Sequence, residues 1–334
     1  MFMASCNHKE IAIVYAMIGM IALMMGWTAS IIMRFELARS GAHVICHESP
    51  NTYNMLITLH GITMIFFFVM PFLFGAVANL AQPLMVLSGE VAFPTINNLS
   101  MIVLVVSIIF ILTVITGEFM AGIGWVMYPP LSTAMMSLSE MSLLGLTSAL
   151  LINGTSSTLT STNFIGILLY TKAVGAGLHT YPITIGVVSF LLLASLPSLT
   201  GGLIMLMSDV LFNTTFFAAD FGGDVLFWQH LFWIFGHPEV YVLILPGFGV
   251  VSMALEKATG TAIFGTVGMI AGVTTIAALG LVVWAHHMYV VGMEADARAY
   301  FAAATFTIAI PSGLKILHWI GHLASLRPIR SLVS

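Results

Sequence analysis

The chain has 334 residues, of which 59% are hydrophobic and only 7% charged. An ordinary soluble domain carries roughly a quarter charged residues, so a chain with a mean hydropathy of +1.06 cannot cover a soluble surface. Nine Lys+Arg against thirteen Asp+Glu form no basic patch, which excludes a nucleic-acid binder along with a cytosolic enzyme and a disordered chain. The expected solvent is a lipid bilayer.

A spanning helix needs ~20 mostly apolar residues. About eight segments meet that criterion: Ile11–Met33, Tyr53–Leu80, Leu99–Phe119, Met141–Tyr170, Ile183–Met207, Val225–Leu255, Ile263–Val290 and Tyr300–His322. The first is too long for a signal-peptide core and lacks a small-residue cleavage site, so it reads as a first helix. Turn formers separate the segments: Ser49-Pro50-Asn51, Tyr128-Pro129-Pro130, Tyr181-Pro182 and Asp220-Phe221-Gly222-Gly223-Asp224. The expected architecture is an all-α polytopic membrane protein, a single transmembrane bundle over 1–334 with no soluble domain. Asn153–Asn163 is rich in Ser and Thr, whose hydroxyls can bond back to helix carbonyls. Cys6 and Cys46 have no metal-ligand spacing, and a disulfide between them is left open.

Ionisable side chains are costly in hydrocarbon, so each one inside a span is a functional candidate. His60 lies early in a long apolar stretch, and Gly61 beside it would let a bulky planar group approach. The competing reading of a lone His is a ring bonded to a helix carbonyl. The sixth segment holds Trp233, His237, Pro238, Glu239 and Tyr241, with His230 upstream. His237 and Tyr241 are four apart and share a helix face. Pro238 frees nearby carbonyls. Glu239 points off that face, and an unpaired buried carboxyl can carry a proton. The seventh segment ends with His286 and His287. On a helix these lie ~100° apart and cannot chelate alone, but with His237 from a facing helix all three could converge on one ion. Three imidazoles suit copper or zinc. Lys315 sits inside the last segment with Ser312 on the same face, as in a proton relay. Its bland reading is a snorkelling Lys.

These residues resemble those of the haem–copper oxygen reductases, specifically the subunit I family of cytochrome c oxidases. The resemblance rests on Asn7-His8-Lys9-Glu10-Ile11, Tyr128-Pro129-Pro130-Leu131, Asn213-Thr214-Thr215-Phe216-Phe217 and Gln229-His230-Leu231-Phe232-Trp233. It is strongest over Gly236-His237-Pro238-Glu239-Val240-Tyr241, Leu245-Pro246-Gly247-Phe248-Gly249 and Val283-Trp284-Ala285-His286-His287-Met288. It implies a mitochondrial-type enzyme of the inner membrane that reduces O2 to water and pumps protons. Its electrons would come from cytochrome c through haem a to a haem a3/Cu-B pair. His60 then stands as an axial ligand of haem a, with Arg34 near the haem tail. His237, His286 and His287 stand as ligands of Cu-B, with Trp233 packed beside it and Tyr241 covalently joined to His237. Glu239 ends one proton route, for which Glu90 (commonly Asp in the family) is the entrance and Asn97, Asn98, Ser156 and Ser157 the lining. Lys315, Ser312 and Ser252 form a second route leading to Tyr241.

The family has about twelve spanning helices, against about eight here at ~20 residues each. A later helix of the family carries a His-x-His pair that completes haem a ligation and holds haem a3. No His-x-His occurs in this sequence. His318 and His322, at i, i+4 spacing, read as ordinary surface or loop histidines. The resemblance therefore implies a second polypeptide carrying the remaining helices. It also implies oxidase subunits II and III, accessory subunits, and magnesium at a site completed by another chain. A nitric oxide reductase relative, a non-catalytic fragment and a proton-relay transporter are the alternative readings. The first predicts iron in place of copper; the other two predict no haem a bands.

Overall fold

The computed structural model describes residues 5–38, 50–116, 121–133, 140–171 and 179–325. Cys46 lies outside them, and Cys6 is exposed. The described residues are helical, with no strand among them. In chain order the helices are α1 (His8–Glu36), α2 (Pro50–Ile62), a π-helical stretch (Thr63–Val77) running into α3 (Ala78–Met85), α4 (Pro94–Thr116) and α5 (Glu140–Gly166). They continue with α6 (Thr180–Leu211), α7 (Val225–Thr259), α8 (Thr266–Gly280), α9 (Ala295–Thr307) and α10 (Ala309–Ser325). A 3-10 turn, Trp284–Met288, separates α8 from α9.

Six helical stretches among the described residues are long and apolar enough to cross a membrane. Two of the eight expected segments depart from that pattern. The fourth forms α5, but its Ser/Thr run dilutes the apolar content. The seventh forms only the 15-residue α8, after which the chain unwinds before the histidines. The apolar run Leu281–Val283 reads as helix by hydropathy. Hydropathy reports solvent, however, not backbone conformation.

Polar side chains fix the helix ends. The Asn7 carboxamide oxygen accepts from Lys9 N–H, and Glu90 Oε1 accepts from His8 N–H at 2.9 Å. Asp224 caps α7 by accepting from Leu226 N–H, and Gly260, at φ 70°, closes it in the left-handed conformation that suits glycine. The Asn213–Phe217 motif has a structural role. Asp209 takes the Thr214 hydroxyl and the Phe216 N–H on Oδ1 and the Phe217 N–H on Oδ2, which shapes the turn from α6 into α7.

Packing follows chain order for the most part: α1 lies along the π-helical stretch, α4 on α5, α5 on α6, and α6 on α7. Helix α6 also contacts α8, and Tyr181, Ile185, Val188, Leu191 and Leu192 on it are fully buried. Helix α10 packs on α8, and the 3-10 turn packs on α7 and α9.

The π-helical stretch has a local cause and a local consequence. In π register the carbonyl of residue i bonds the N–H of residue i+5. Five residues beyond Phe66 stands Pro71, which has no N–H. Asn153 of α5 supplies the missing donor, with its Nδ2 2.8 Å from the Phe66 carbonyl. The Ser/Thr run after Asn153 largely bonds back to its own helix, as expected: Thr155, Thr158, Thr160 and Thr162 each donate to the carbonyl four residues before. Ser156 is different. It donates across to the Ser100 carbonyl on α4 at 2.7 Å.

Candidate metal centre

The 3-10 turn faces α7, and three imidazoles meet between them. His237 Nδ1 lies 3.1 Å from His286 Nε2 and 3.4 Å from His287 Nε2. Among the described residues this is the one group of three or more His, Cys, Asp or Glu close enough to hold an ion. On a 3-10 turn adjacent residues lie ~120° apart, and the two neighbours reach His237 from different sides. Read as hydrogen bonds, the contacts need a proton between each pair. His237 Nδ1 can carry one, and both other rings aim at it. Two nitrogens each ~2.0–2.1 Å from one ion, at angles between a right angle and tetrahedral, lie about 3–3.4 Å apart. The set fits copper or zinc in its donor atoms and its spacing.

Surrounding groups orient each ring. Thr305 on α9 donates its hydroxyl to the Phe301 carbonyl, so toward His286 it can only accept. His286 Nδ1–H donates to it at 2.9 Å, which leaves the Nε2 lone pair aimed at the centre. His287 stacks on Trp233, with centroids 4.0 Å apart and planes 12° from parallel. The Trp233 indole N–H donates to Tyr128 Oη at 2.8 Å. Burial raises the Tyr128 phenol above its ordinary pKa, and the Trp233 bond acts in the opposite direction. His237 meets Tyr241 edge-on, with centroids 4.7 Å apart, and its Nε2 is buried with no hydrogen-bond partner. Gly280 gives Tyr241 its place, since a Cβ there would stand 2.9 Å from the ring. His230 lies outside the centre and accepts from the Trp284 indole.

His60 is set apart on α2. Its Nδ1–H donates to the Gly26 carbonyl at 2.8 Å, which leaves Nε2 as a ligand atom. The carbonyl-bonded reading and the ligand reading are therefore compatible. Gly61 does not open space for a planar group as expected; Trp125 fills it, 2.9 Å from where a Cβ would stand. The glycine that matters is Gly26, whose Cβ would meet Met64 Sδ and Thr63 Oγ1 at 2.7 Å. His60 Nε2 would be able to hold a haem iron. Arg34 is exposed in the last turn of α1.

A run of polar contacts leads inward from Glu90. His8, whose N–H bonds Glu90, donates its ring Nδ1–H to the Asn79 carbonyl, and Asn97 Nδ2 donates to Asn79 Oδ1 at 3.0 Å. Deeper in, the Tyr15 hydroxyl contacts Ser100, Ser156 and Thr160. Two cavities of about 10 Å³ follow, each near the space that one water needs. Asn153 and Ser157 line both, and the second reaches Phe235, one helical turn before Glu239. Glu239 is 1% exposed, and neither of its oxygens has a hydrogen-bond partner. Asn98 Nδ2 donates to the Ser5 carbonyl at 2.8 Å.

Lys315 is buried, 2% exposed, with Nζ 5.9 Å from the centroid of the Phe248 ring, so it does not snorkel. Ser252 on α7 is buried and Ser312 is half-buried. The reading of His322 as a surface or loop residue is overturned. It is 2% exposed, Phe264 N–H donates to its Nδ1, and its Nε2 lies 2.9 Å from Thr259 Oγ1.

Sequence reasoning passed over Gly26, Thr305, Tyr15 and Asn79. A lone Tyr inside the first apolar run was a visible signal for Tyr15. The other three depend on which helices touch.

Residues 10–333 match the family described as "Cytochrome C and Quinol oxidase polypeptide I". The chain belongs to that family. It is 43% identical over 319 residues to cytochrome c oxidase subunit 1 of Plasmodium berghei, covering 95% of this chain and 67% of the relative. The Plasmodium falciparum subunit is also 43% identical over the same length. The Candida albicans subunit is 40% identical over 322 residues, covering 96% of this chain and 60% of that protein. The chain thus spans about two thirds of the length of these relatives. It is a multi-pass membrane protein of an oxidoreductase family whose members work in multi-subunit complexes.

Proposed function

We propose that this chain is the catalytic-core part of a terminal respiratory oxidase in the mitochondrial inner membrane. The enzyme reduces O2 to water with electrons from cytochrome c, through haem a to a haem a3/Cu-B pair, and pumps protons. The observation that carries the reading is the His237–His286–His287 centre with Tyr241 edge-on to His237.

His237 Nδ1, His286 Nε2 and His287 Nε2 would hold the copper. His60 Nε2 would hold the haem a iron. The metals supply oxygen binding and electron transfer; the remaining work belongs to side chains. Thr305 and Trp233 keep two of the ligand rings in place. Tyr241 presents a phenolic proton at the centre. Its covalent link to His237 belongs to this reading and would occupy the ring nitrogen that has no other partner. Glu239, with neither oxygen bonded, stands as a neutral acid able to pass on the proton it holds. The Glu90–Asn97–Ser156–Ser157 corridor supplies that acid, and Lys315, Ser312 and Ser252 supply Tyr241. A second polypeptide brings the His-x-His helix, and oxidase subunits II and III, accessory subunits and a shared magnesium site complete the assembly.

Metal analysis and optical spectra of the purified complex test the reading. Copper at the three-His centre and haem a bands are expected. His286→Ala should abolish oxygen reduction while the haem a bound through His60 persists. Iron at the centre would indicate a nitric oxide reductase relative, and absence of haem a would sink the oxidase reading.

A further inference from the structure

Two facing stripes run between the metal centre and the far end of α7. On α10, Ser312, Lys315, Trp319 and His322 recur at three- and four-residue spacing and share one face. On α7, Phe248, Ser252 and Thr259 face them. The pairings are specific. His322 bonds Thr259 at the outer end. One turn inward, the Trp319 indole N–H donates to Ser252 Oγ at 3.0 Å. The Trp319 ring also meets Phe248 edge-on, with centroids 5.3 Å apart and planes at 84°. Lys315 Nζ lies 5.9 Å from the centroid of that same Phe248 ring.

Ser252 is the only hydroxyl of this group placed between the outer His322–Thr259 pair and Lys315. Its own proton goes to the Phe248 carbonyl at 3.0 Å. A hydroxyl oxygen offers two lone pairs, and an indole N–H can only donate. Trp319 therefore occupies one lone pair permanently and leaves the other as the sole point at which Ser252 can take a proton. The same indole ring buttresses Phe248, on whose ring the Lys315 ammonium rests.

We propose that Trp319 is the positioning residue of the lysine proton route. It fixes the open lone pair of Ser252 with its N–H and the seat of Lys315 with its ring. A proton taken up at the open lone pair of Ser252 Oγ is matched by release of the hydroxyl proton now held on the Phe248 carbonyl, and Trp319 exchanges none. The inference rests on the reading of Lys315 as a proton donor toward Tyr241.

The test uses the purified oxidase complex. Trp319→Phe keeps a ring on Phe248 and removes the N–H. Turnover should fall about five- to tenfold, the effect of losing one hydrogen bond from a rate-controlling step. Copper content, haem spectrum and KM for cytochrome c should stay unchanged. Ser252→Ala should give a similar loss, and the double variant should be no slower than either single one. On a Lys315→Met background, Trp319→Phe should cost nothing more. Multiplying losses, unchanged turnover in Trp319→Phe, or failure of that complex to assemble would overturn the proposal, the last by showing that Trp319 serves packing alone. If Lys315→Met itself leaves turnover intact, the lysine-route reading fails and takes this inference with it. If Lys315→Met slows turnover and Trp319→Phe does not, only the inference fails.

Discussion

At the scale of single residues, the candidate metal centre depends on groups outside its three histidines. Thr305 is the clearest. Its hydroxyl is committed to the Phe301 carbonyl, so it takes the His286 Nδ1 proton and holds the ring in one tautomer. Outer partners of this kind are typically worth about 10–100-fold in metal affinity. Thr305→Val should therefore lower copper retention by about that factor on dialysis against a graded chelator. Thr305→Ser should retain nearly all of it. Equal retention by both variants would show that packing alone orients His286. None of this was legible in the sequence. The three histidines, Tyr241 and Glu239 announce themselves because ionisable groups are rare in an apolar chain, whereas a Thr on a helix is unremarkable until the 3-10 turn is seen to lie against it. His322 failed to read correctly for a related reason. Near the end of an apolar run, nothing in the sequence separates a surface His from one buried against Thr259.

Among helices, hydropathy located the elements but not their conformation. Positions of α1, α4, α6 and α7 were legible from apolar runs and flanking turn formers. The π-helical register of Thr63–Val77 and the unwinding after Gly280 were not, because each reflects how a backbone meets its neighbours. The π stretch offers a direct check. Asn153 donates to the Phe66 carbonyl whose π-register partner would be Pro71. Asn153→Ala should destabilise the complex by about 1 kcal/mol, with a buried carbonyl left unpaired. Pro71→Ala restores a backbone donor, so on that background the cost of Asn153→Ala should largely vanish in a thermal-melt double-mutant cycle. Additive losses would mean that the two residues act separately. A second check concerns the contact of α1 with the π stretch. A Cβ at Gly26 would meet Met64 and Thr63 at 2.7 Å. Gly26→Ala should push the two elements apart, weaken the His60 Nδ1–Gly26 bond and shift or broaden the haem a absorption bands. The three-His centre, built on α7 and the 3-10 turn, should keep its copper.

For the whole molecule, the distribution of burial argues for a missing neighbour. In Asn51–Met85 the most apolar window is 56% buried, while in Ala295–Ala324, the stretch of α9 and α10, it is only 17% buried. Phe306, Ile310, Leu317 and Ile320 on that stretch are 57–82% exposed. Lipid alone could cover such a face. It would not suffice for the proposed centre next to it, because His286 and His287 are only half-buried, and a metal centre handling oxygen would have to be closed off from indiscriminate access. His60, too, would supply a single ligand atom to the proposed haem. On the proposed reading, both deficits would be met by one body lying against α9 and the 3-10 turn and carrying histidines toward His60 and the three-His centre. A density map of the purified complex should therefore show a second polypeptide there, with a histidine on the iron opposite His60. Cross-links from its helices should fall on α9 and α10 and spare α4, whose outer face carries Leu99, Ile109 and Leu112 toward lipid. Lipid density alone over α9 and α10, with a haem ligated only by His60, would remove the partner from the proposal and leave the three-His centre to be explained as an open site.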